Sequence, residues 1–368
     1  MLSSVEDVLE TLNGRGSLLF PLKPFSQIDG LRSLSDHVSG FSVSSLFEAR
    51  LVAEAAEQHV TVHFTSPGLR ESDIAELTKL CTHVSLNSLT QLERWSNPSP
   101  NNVSLGLRVN PQLSYVQDDR YDPSRPHSKL GAPLVAVRAA LEAGSPHLDR
   151  LEGIHFHSNC ESTDFGELLR TVRHLEENIG GLLDRVEWIN LGGGYLFEDV
   201  EHIESLRTAV DHLHNAYDLE VFIEPGTALV RSAGYIVSSV LDIFDSDGLN
   251  IAVLDTTVNH MPEVFEYGYE PDVYGHDDEN EHEYQLAGAT CLAGDVFGTY
   301  RFEKPLELSS RIVFLDQGAY TLPKAHMFNG VNLPSIYVLT VERELVLKRQ
   351  FTYDDYASRW RTESFATV

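Results

Sequence analysis

Cysteine and positive charge are both scarce in this 368-residue sequence. Its three cysteines, Cys81, Cys160 and Cys291, form no CxxC pair, which excludes a disulfide framework and a thiolate zinc site and indicates a reducing compartment. Only 27 Lys and Arg residues stand against 55 Asp and Glu, so the formal net charge is −28. A chain this acidic repels phosphates, and we therefore expect it to bind neither nucleic acid nor anionic membranes.

Long apolar runs are absent as well. No stretch approaches the roughly 20 apolar residues that a membrane-spanning helix needs. The N-terminal segment MLSSVEDVLETLNG lacks the apolar core of a signal peptide. Apolar residues nevertheless make up 42% of the chain, enough for a full hydrophobic core. We expect a globular cytoplasmic protein without a membrane segment.

Two periodicities alternate over the first 230 residues. Short β-branched runs predict eight strands, at residues 17–23, 41–45, 60–66, 83–88, 104–110, 153–158, 187–194 and 221–226. Between most of them lie stretches with helical spacing, such as residues 46–58 and 165–179. This alternation indicates a parallel sheet with crossover helices, and eight such units are the number that closes a (β/α)8 TIM barrel. A doubly wound open sheet is the competing architecture.

The pattern changes after about residue 234. Runs such as YIVSSVLDIF, NIAVLDTT, RIVFLD and SIYVLTVERELVLKRQ follow one another with few helical stretches. They predict a barrel domain over residues 1–234 and a C-terminal all-β, β-barrel-like domain over residues 235–368. The acidic stretch at residues 275–283 is interpreted as a solvated loop within the second domain.

Chemistry in a (β/α)8 barrel is placed at the carboxyl ends of the strands. The predicted strand ends carry an amine, an imidazole, a glycine run and a carboxylate, namely Lys23, His157, Gly192, Gly193, Gly194 and Glu224. Desolvation at an apolar strand end favours the neutral amine, which can condense with an aldehyde. Glycines permit several N–H groups to converge on an anion, and a carboxylate facing a pyridine nitrogen keeps that nitrogen protonated. Taken singly, each residue has an ordinary structural explanation.

His155 and His157 could form a metal-binding pair. No third ligand of comparable clarity accompanies them, so no metal site is expected. We interpret His155 as a hydrogen-bonded core histidine.

The second domain contributes further candidates. Cys291 and Asp295, in CLAGD, could act as an acid and as a substrate clamp. Acidic and imidazole groups in LDTTVNHMPEVFE could form an anionic pocket for an amine: Asp255, His260, Glu263 and Glu266. Tyr320 could donate a hydrogen bond to a phosphate. A buried thiol, turn residues, a solvated loop and a core aromatic are the structural alternatives.

Several longer segments resemble a known group of enzymes. They include LLFPLKPF, SLNSLTQLERW, GIHFHSNCE, WINLGGGY, IEPGTAL, CLAGDVFG and FNGVNLPS. The chain is similar to the fold-type III enzymes that use pyridoxal 5′-phosphate (PLP), the alanine racemase and ornithine decarboxylase superfamily. Within that group it most resembles the carboxynorspermidine (carboxyspermidine) decarboxylases of polyamine biosynthesis.

The resemblance implies a role for each candidate. Lys23 would bind PLP covalently, His157 would stack on the ring, and Glu224 would pair with the ring nitrogen. Gly192, Gly193, Gly194 and Tyr320 would hold the phosphate. Cys291 and Asp295 would reach the partner subunit's site in a homodimer. Independently of the resemblance, we expect a cationic amino-acid substrate to be bound by Glu263, Asp255, His260 and Asp295.

The sequence is also compatible with three alternative functions. The first is decarboxylation of another basic or modified amino acid, or racemisation, on the same fold. The second is a non-catalytic PLP-binding homologue. The third is a metal-dependent barrel hydrolase that uses His155 and His157. Departures from the family pattern at Pro24, Thr227 and around Tyr320 leave room for a changed substrate.

Overall fold

The structure is a computed structural model that describes residues 1–56, 60–95 and 103–362. The chain divides into two compact units, Met1–Val230 and Arg231–Val368. The sequence placed this division slightly later, after residue 234. Each unit is described separately below.

Eight parallel strands close into a barrel in the first unit, which confirms the predicted fold and excludes the open sheet. They are β1 Ser17–Pro21, β2 Gly40–Val43, β3 Thr61–Thr65, β4 His83–Leu86, β5 Ser104–Asn110, β7 Gly153–His155, β8 Trp188–Asn190 and β9 Glu220–Ile223. A two-residue strand, β6 Ala132–Pro133, pairs with the end of β5. All eight predicted strands are present, but most end before their predicted boundary.

One helix precedes the first barrel strand, and the other helices of this unit come after strands. In chain order they are α1 Leu2–Leu12, α2 Ile28–Ser35, α3 Leu46–Ala55, α4 Glu71–Leu80, α5 Leu89–Arg94, α6 Leu134–Glu142, α7 Phe165–Leu183, α8 Ile203–Tyr217 and α9 Thr227–Val230. Serine N-caps begin α3 and α5, where Ser45 and Ser88 accept a backbone N–H three residues further on. Helix α7 runs past its predicted end at residue 179, while α3 ends at Ala55, and residues 57 and 58 of its predicted span lie outside the described part.

Aromatic rings and imidazoles fill part of the barrel interior. His63 stacks on His83 with ring centroids 4.1 Å apart, and both rings also contact Trp188 and Phe222. Burial lowers the pKa of His63 and of His155 well below the usual value, and lowers the pKa of His83 to about 4. The three imidazoles are therefore neutral in the folded barrel at neutral pH.

This neutral imidazole layer predicts acid sensitivity. A histidine whose pKa is lower in the folded state is protonated preferentially in the unfolded state, so stability falls as the pH drops below about 6.5. Each such group costs about 1.4 kcal/mol per pH unit until its folded-state pKa is reached. In wild type, we expect the urea concentration at half-unfolding to drop between about pH 7.5 and about pH 5.5. The drop should be smaller in His63→Phe. In the control His37→Phe, which replaces an exposed histidine, the drop should equal that of wild type. An equal drop in both variants would contradict the prediction.

A five-stranded sheet forms the second unit. Its strands are β10 Ile236–Ser246, β11 Leu249–Leu254, β12 His282–Ala287, β13 Val296–Phe302 and β14 Arg311–Phe314, in the order β13-β12-β11-β10-β14. A hairpin of β15 Ile336–Leu339 and β16 Leu345–Arg349 follows, and three short helices are interspersed, α10 Pro262–Tyr267, α11 Thr321–Lys324 and α12 Tyr353–Ala357. The predicted β domain is thus confirmed.

One core holds this sheet together. It is built from alternate strand residues and includes Leu254, Leu286, Phe297 and Phe314, all at most 1% exposed. The acidic stretch at residues 275–283 is irregular up to residue 281, while His282 and Glu283 already belong to β12. Among the residues described in the two units, no helix has the length and apolar character needed to cross a membrane.

Candidate active site

Lys23 lies two residues beyond the end of β1, at the carboxyl end of the barrel. The surrounding protein lowers the pKa of its amine by desolvation, against the opposing field of the Glu224 carboxylate, yet the side chain is exposed to solvent. An amine that is both deep in the protein and reachable by solvent lies on the wall of an opening. Such an amine spends more time neutral than an ordinary lysine, which suits condensation with an aldehyde.

Glu224 follows β9 and faces the same opening. The residue is 8% exposed, and burial raises the pKa of its carboxylate. Hydrogen bonds from Asn190 and Ser42, together with the charges of Lys23 and Arg108, work in the opposite direction. The structure therefore places the predicted amine and the predicted carboxylate close enough for each to shift the other's pKa.

The glycine turn after β8 fits tightly between its neighbours. The Gly192 N–H donates to the Asn190 side chain over 2.9 Å, and the Gly193 N–H donates to His157 Nδ1 over 3.1 Å. These two N–H groups are thus already bonded within the protein. Gly194, which has a φ of +89°, contributes the turn's remaining N–H, and that group has no hydrogen-bond partner in the described part of the chain.

His157 is held in one orientation by this turn. Because Nδ1 accepts the Gly193 N–H, the ring's proton must be on Nε2. Burial, and then the charges of Lys23 and Arg108, lower the pKa of His157 well below the usual value, so the ring is neutral. A flat, neutral, oriented imidazole beside the amine suits stacking on an aromatic cofactor.

His155 differs from its predicted environment. It is buried, 2% exposed, but neither ring nitrogen has a hydrogen-bond partner in the described structure, so the expectation of a hydrogen-bonded core histidine is wrong. The side chain at this position lies within the fields of Arg108 and Lys23. No group of three or more His, Cys, Asp or Glu able to hold a metal is found among residues 1–56, 60–95 and 103–362.

In the second unit, the CLAGD segment is a fixed loop. Cys291 is exposed, and its N–H donates to Asn329 Oδ1 over 2.9 Å. Asp295 is 3% exposed, and its oxygens accept the N–H groups of Val258 and Thr290 and the Thr290 hydroxyl. The Asp295 carboxylate therefore stabilises the packing of two loops. Contrary to the prediction, it does not face an open space where a substrate could bind.

Glu263 also has a partner. Lys324 Nζ lies 3.0 Å from Glu263 and 2.6 Å from Glu266, and its cation contacts the rings of Tyr267 and Tyr320. Burial lowers the pKa of Lys324, but the hydrogen bonds to the two carboxylates and their charges outweigh it and raise that pKa, so this amine stays charged. A substrate ammonium that used Glu263 would have to compete with Lys324.

Asp255 and His260 occupy separate environments in the same unit. The Asp255 carboxylate accepts the Ser238 hydroxyl and the Ser239 N–H. His260 is fully buried against Thr256, and burial lowers its pKa to about 4. A neutral, inaccessible imidazole does not contribute to an anionic pocket, so the predicted cluster is divided in the structure.

Sequence reasoning missed three neighbours of the Lys23 and Glu224 pair. Asn190 and Ser42 are hydrogen-bonded to Glu224, and the charge of Glu48 reaches Lys23. Ser42 and Asn190 lie at the carboxyl ends of β2 and β8, whereas Glu48 lies in the first turn of α3, the helix after β2. Listing every polar residue at the strand ends, rather than only the reactive ones, would have found Ser42 and Asn190 but not Glu48.

Comparisons with known proteins agree with this geometry. The sequence model described as pyridoxal-dependent decarboxylase, pyridoxal binding domain, matches residues 2–231. The chain is 34% identical over 358 residues to a carboxynorspermidine/carboxyspermidine decarboxylase of Campylobacter jejuni, covering 93% of this chain and 91% of the relative. It is 36% identical over 351 residues to a carboxyaminopropylagmatine decarboxylase of Synechocystis, covering 94% and 86%.

A solved structure supports the same relationship. The crystal structure of carboxynorspermidine decarboxylase from Campylobacter jejuni, complexed with norspermidine, superposes with a TM-score of 0.87 at 31% identity. The match covers 97% of this chain and 96% of that one.

The residues present fit PLP on structural grounds. The barrel end offers an accessible amine of lowered pKa, a buried carboxylate held by donors, and a glycine turn with one N–H that no described residue accepts. The family model covers the whole barrel unit. This chain belongs to the PLP-dependent decarboxylase family.

Proposed function

We propose that this chain removes CO2 from a carboxylated polyamine, with carboxynorspermidine or carboxyspermidine as the substrate. The observation that carries the proposal is the facing pair of Lys23 and Glu224, in a chain 34% identical to an enzyme named for those two substrates. The relatives reported above are decarboxylases, which favours loss of CO2 over racemisation. The chain's strong negative charge suits a polycationic substrate.

Each candidate residue has one task in this proposal. Lys23 is the amine that would hold the cofactor through its aldehyde. His157 would support the face of the cofactor ring, and the Gly194 N–H would donate to the phosphate. Glu224 would face the ring nitrogen and favour its protonated form. The bound PLP supplies an electron sink for the pair of electrons left when the C–CO2 bond breaks. Cys291 returns a proton to the α-carbon.

A second substrate class has its own support. The Synechocystis relative, at 36% identity, is named for carboxyaminopropylagmatine, which carries a guanidino group at the end where the other substrates carry an ammonium. A guanidinium is planar and binds carboxylates in pairs, whereas an ammonium is a point charge. The two substrates therefore differ in what the distal end of the site must offer.

The test is a decarboxylation assay of the PLP-loaded enzyme. The panel contains carboxynorspermidine, carboxyspermidine, carboxyaminopropylagmatine, diaminopimelate, ornithine, lysine and arginine. We expect kcat/KM to be highest for one of the first two. A preference for carboxyaminopropylagmatine would establish the second candidate. CO2 release only from diaminopimelate, ornithine, lysine or arginine would contradict both.

We also propose that the enzyme is a homodimer in which Cys291 serves the partner's barrel. The exposed thiol stands on a loop fixed by Asn329 and Asp295, as a residue that acts outside its own unit requires. The second unit also exposes large apolar side chains along β10 and the hairpin, as a subunit interface would: Val237, Leu241, Tyr337, Leu339, Leu345 and Leu347.

Mixing two inactive variants tests the shared site. We expect Lys23→Ala and Cys291→Ala homodimers to be nearly inactive. Dissociated and reassociated together, they should regain activity, because one site of each mixed dimer then combines an intact Lys23 with an intact Cys291. If Cys291 served its own chain, every site in the mixed dimer would lack one group and no activity would return. Each variant reassociated alone is the control.

None of the three cysteines, all of which lie in the described part of the chain, forms a disulfide bond, and two of them are exposed, which supports a reducing compartment such as the cytoplasm.

A further inference from the structure

The Asn190 side chain joins two parts of the site. Asn190 ends β8 and is 1% exposed. Its Oδ1 accepts the Gly192 N–H over 2.9 Å, and its Nδ2 donates to Glu224 Oε1 over 2.7 Å. One buried amide therefore links the glycine turn to the carboxylate.

The amide has only one usable orientation. A flipped amide would turn an NH2 group towards the Gly192 N–H and an oxygen towards the Glu224 carboxylate, so both hydrogen bonds would become repulsive. The backbone of the glycine turn thus ensures that Asn190 offers Glu224 a donor. Among the neighbouring groups, Lys23 and Arg108 place their charges near Glu224, and His63 Nδ1 lies 3.4 Å from the Asn190 amide nitrogen.

A donor on a buried carboxylate decides where a shared proton rests. Hydrogen bonds to the charged form of a carboxylate favour that form. When a carboxylate and a ring nitrogen share one proton, a donor on the carboxylate leaves the proton on the nitrogen. Without the donor, the carboxylate binds the proton more strongly and the nitrogen loses it.

We propose that Asn190 is a positioning residue that keeps Glu224 ionised and oriented, so that the proton shared with the cofactor ring stays on the ring nitrogen. The inference rests on the proposed role of Glu224. It assigns Asn190 an action through Glu224, not a contact with substrate. Ser42, the other side chain that donates to Glu224, acts in the same direction.

Replacing Asn190 by aspartate gives a distinctive result. A protonated aspartic acid can donate its O–H to Glu224 as the amide does, while its other oxygen still accepts from Gly192. An ionised aspartate cannot donate, and it repels Glu224. Asn190→Asp should therefore retain activity at low pH and lose it as the pH rises. Asn190→Leu lacks the donor at every pH.

Asn87 provides a matched control elsewhere in the barrel. It is buried, its side-chain oxygen accepts the Gly131 N–H over 2.9 Å, and its side-chain nitrogen donates to the Lys129 carbonyl oxygen over 2.8 Å. The two asparagines thus differ mainly in the acceptor, which is a carboxylate for Asn190 and a backbone carbonyl for Asn87. Asn87→Asp should disturb folding to a similar degree without reaching Glu224.

The experiment compares PLP-loaded wild type with Asn190→Asp, Asn190→Leu, Glu224→Gln and Asn87→Asp. The readouts are the pH titration of the bound cofactor's visible absorption, and kcat and KM against pH. For Asn190→Leu we expect kcat to fall about tenfold or more with little change in KM. For Asn190→Asp we expect a new fall of kcat with rising pH, accompanied by a new transition in the absorption. Asn87→Asp should titrate as wild type.

The outcomes separate the inference from the function on which it rests. If Glu224→Gln titrates as wild type, Glu224 is not the partner of the ring nitrogen and that part of the proposed function fails. If Glu224→Gln is altered but both Asn190 variants titrate like Asn87→Asp, the role of Asn190 is wrong and that of Glu224 stands. Should Asn190→Leu fail to fold, the isosteric Asn190→Asp still decides the question through its pH profile.

Discussion

Replacing Lys23 by alanine is expected to lower kcat by about 10³-fold or more and to abolish covalent attachment of PLP. The reason is the position of the amine, which is deep enough for its pKa to be lowered by desolvation and still accessible from the barrel end. Borohydride reduction should fix the cofactor to the peptide that contains residue 23 in wild type. No such adduct should form in the variant.

Stability should respond in the opposite direction to activity. A charged lysine in a desolvated position lowers the stability of the folded protein. Removing it should therefore not lower the free energy of unfolding of the PLP-free protein. We expect PLP-free Lys23→Met to unfold at a urea concentration no lower than that of wild type. Lys79→Ala, on an exposed face of α4, is the control and should keep both activity and the adduct. A Lys23 variant with wild-type turnover would refute the assignment of this amine.

The barrel itself was predictable, because β-branched runs and helical periodicity are local signals. The predicted strand ends were less accurate for a physical reason. The run at residues 187–194 reads as one strand, but β8 stops at Asn190 because Gly192 adopts a φ of +70°, which a strand does not accommodate. The reactive groups lie between the observed and the predicted strand ends, just beyond the regular strands. Lys23, two residues after β1, is an example.

The hydrogen-bond network of the site was not predictable from the sequence. The bond from Asn190 to Glu224 joins residues 34 positions apart, and it exists only because β8 and β9 are neighbours in the closed barrel. No spacing rule pairs these residues, and an Asn at a strand end more often caps a turn. The chemical type of the reactive groups could therefore be predicted, but not the groups that tune them.

Side chains in the second unit show the same limit. The CLAGD motif indicated Cys291 and Asp295 as site residues. It does not show that the Asp295 carboxylate accepts hydrogen bonds from Val258 and Thr290. Likewise, the segment around Glu263 does not show that the Lys324 amine, 61 positions later, is hydrogen-bonded to the Glu263 carboxylate. Long-range pairing of charges depends on the folded sheet, which composition and periodicity do not encode.

The glycine turn sets a steric requirement that Gly193→Ala would violate. A Cβ at this position would lie 2.0 Å from the Glu224 carbonyl oxygen and 2.8 Å from its carbonyl carbon. Both are backbone atoms at the end of β9, so they cannot rotate away as a side chain could. We expect the free energy of unfolding to fall by about 1–3 kcal/mol or more, and PLP to bind more weakly.

Gly193→Ala should bind PLP more weakly because the clash of its Cβ with the Glu224 backbone displaces parts of the cofactor site. Relief of the contact must move either Glu224 or the turn, and the turn holds His157 through the Gly193 N–H. Gly181→Ala in α7 is the matched control, because a Cβ there meets nothing within 4 Å and alanine should stabilise the helix by up to about 1 kcal/mol. Urea unfolding and PLP titration of both variants measure the difference. If Gly193→Ala bound PLP as tightly as Gly181→Ala, the close approach of the turn to Glu224 would not be a requirement of the cofactor site.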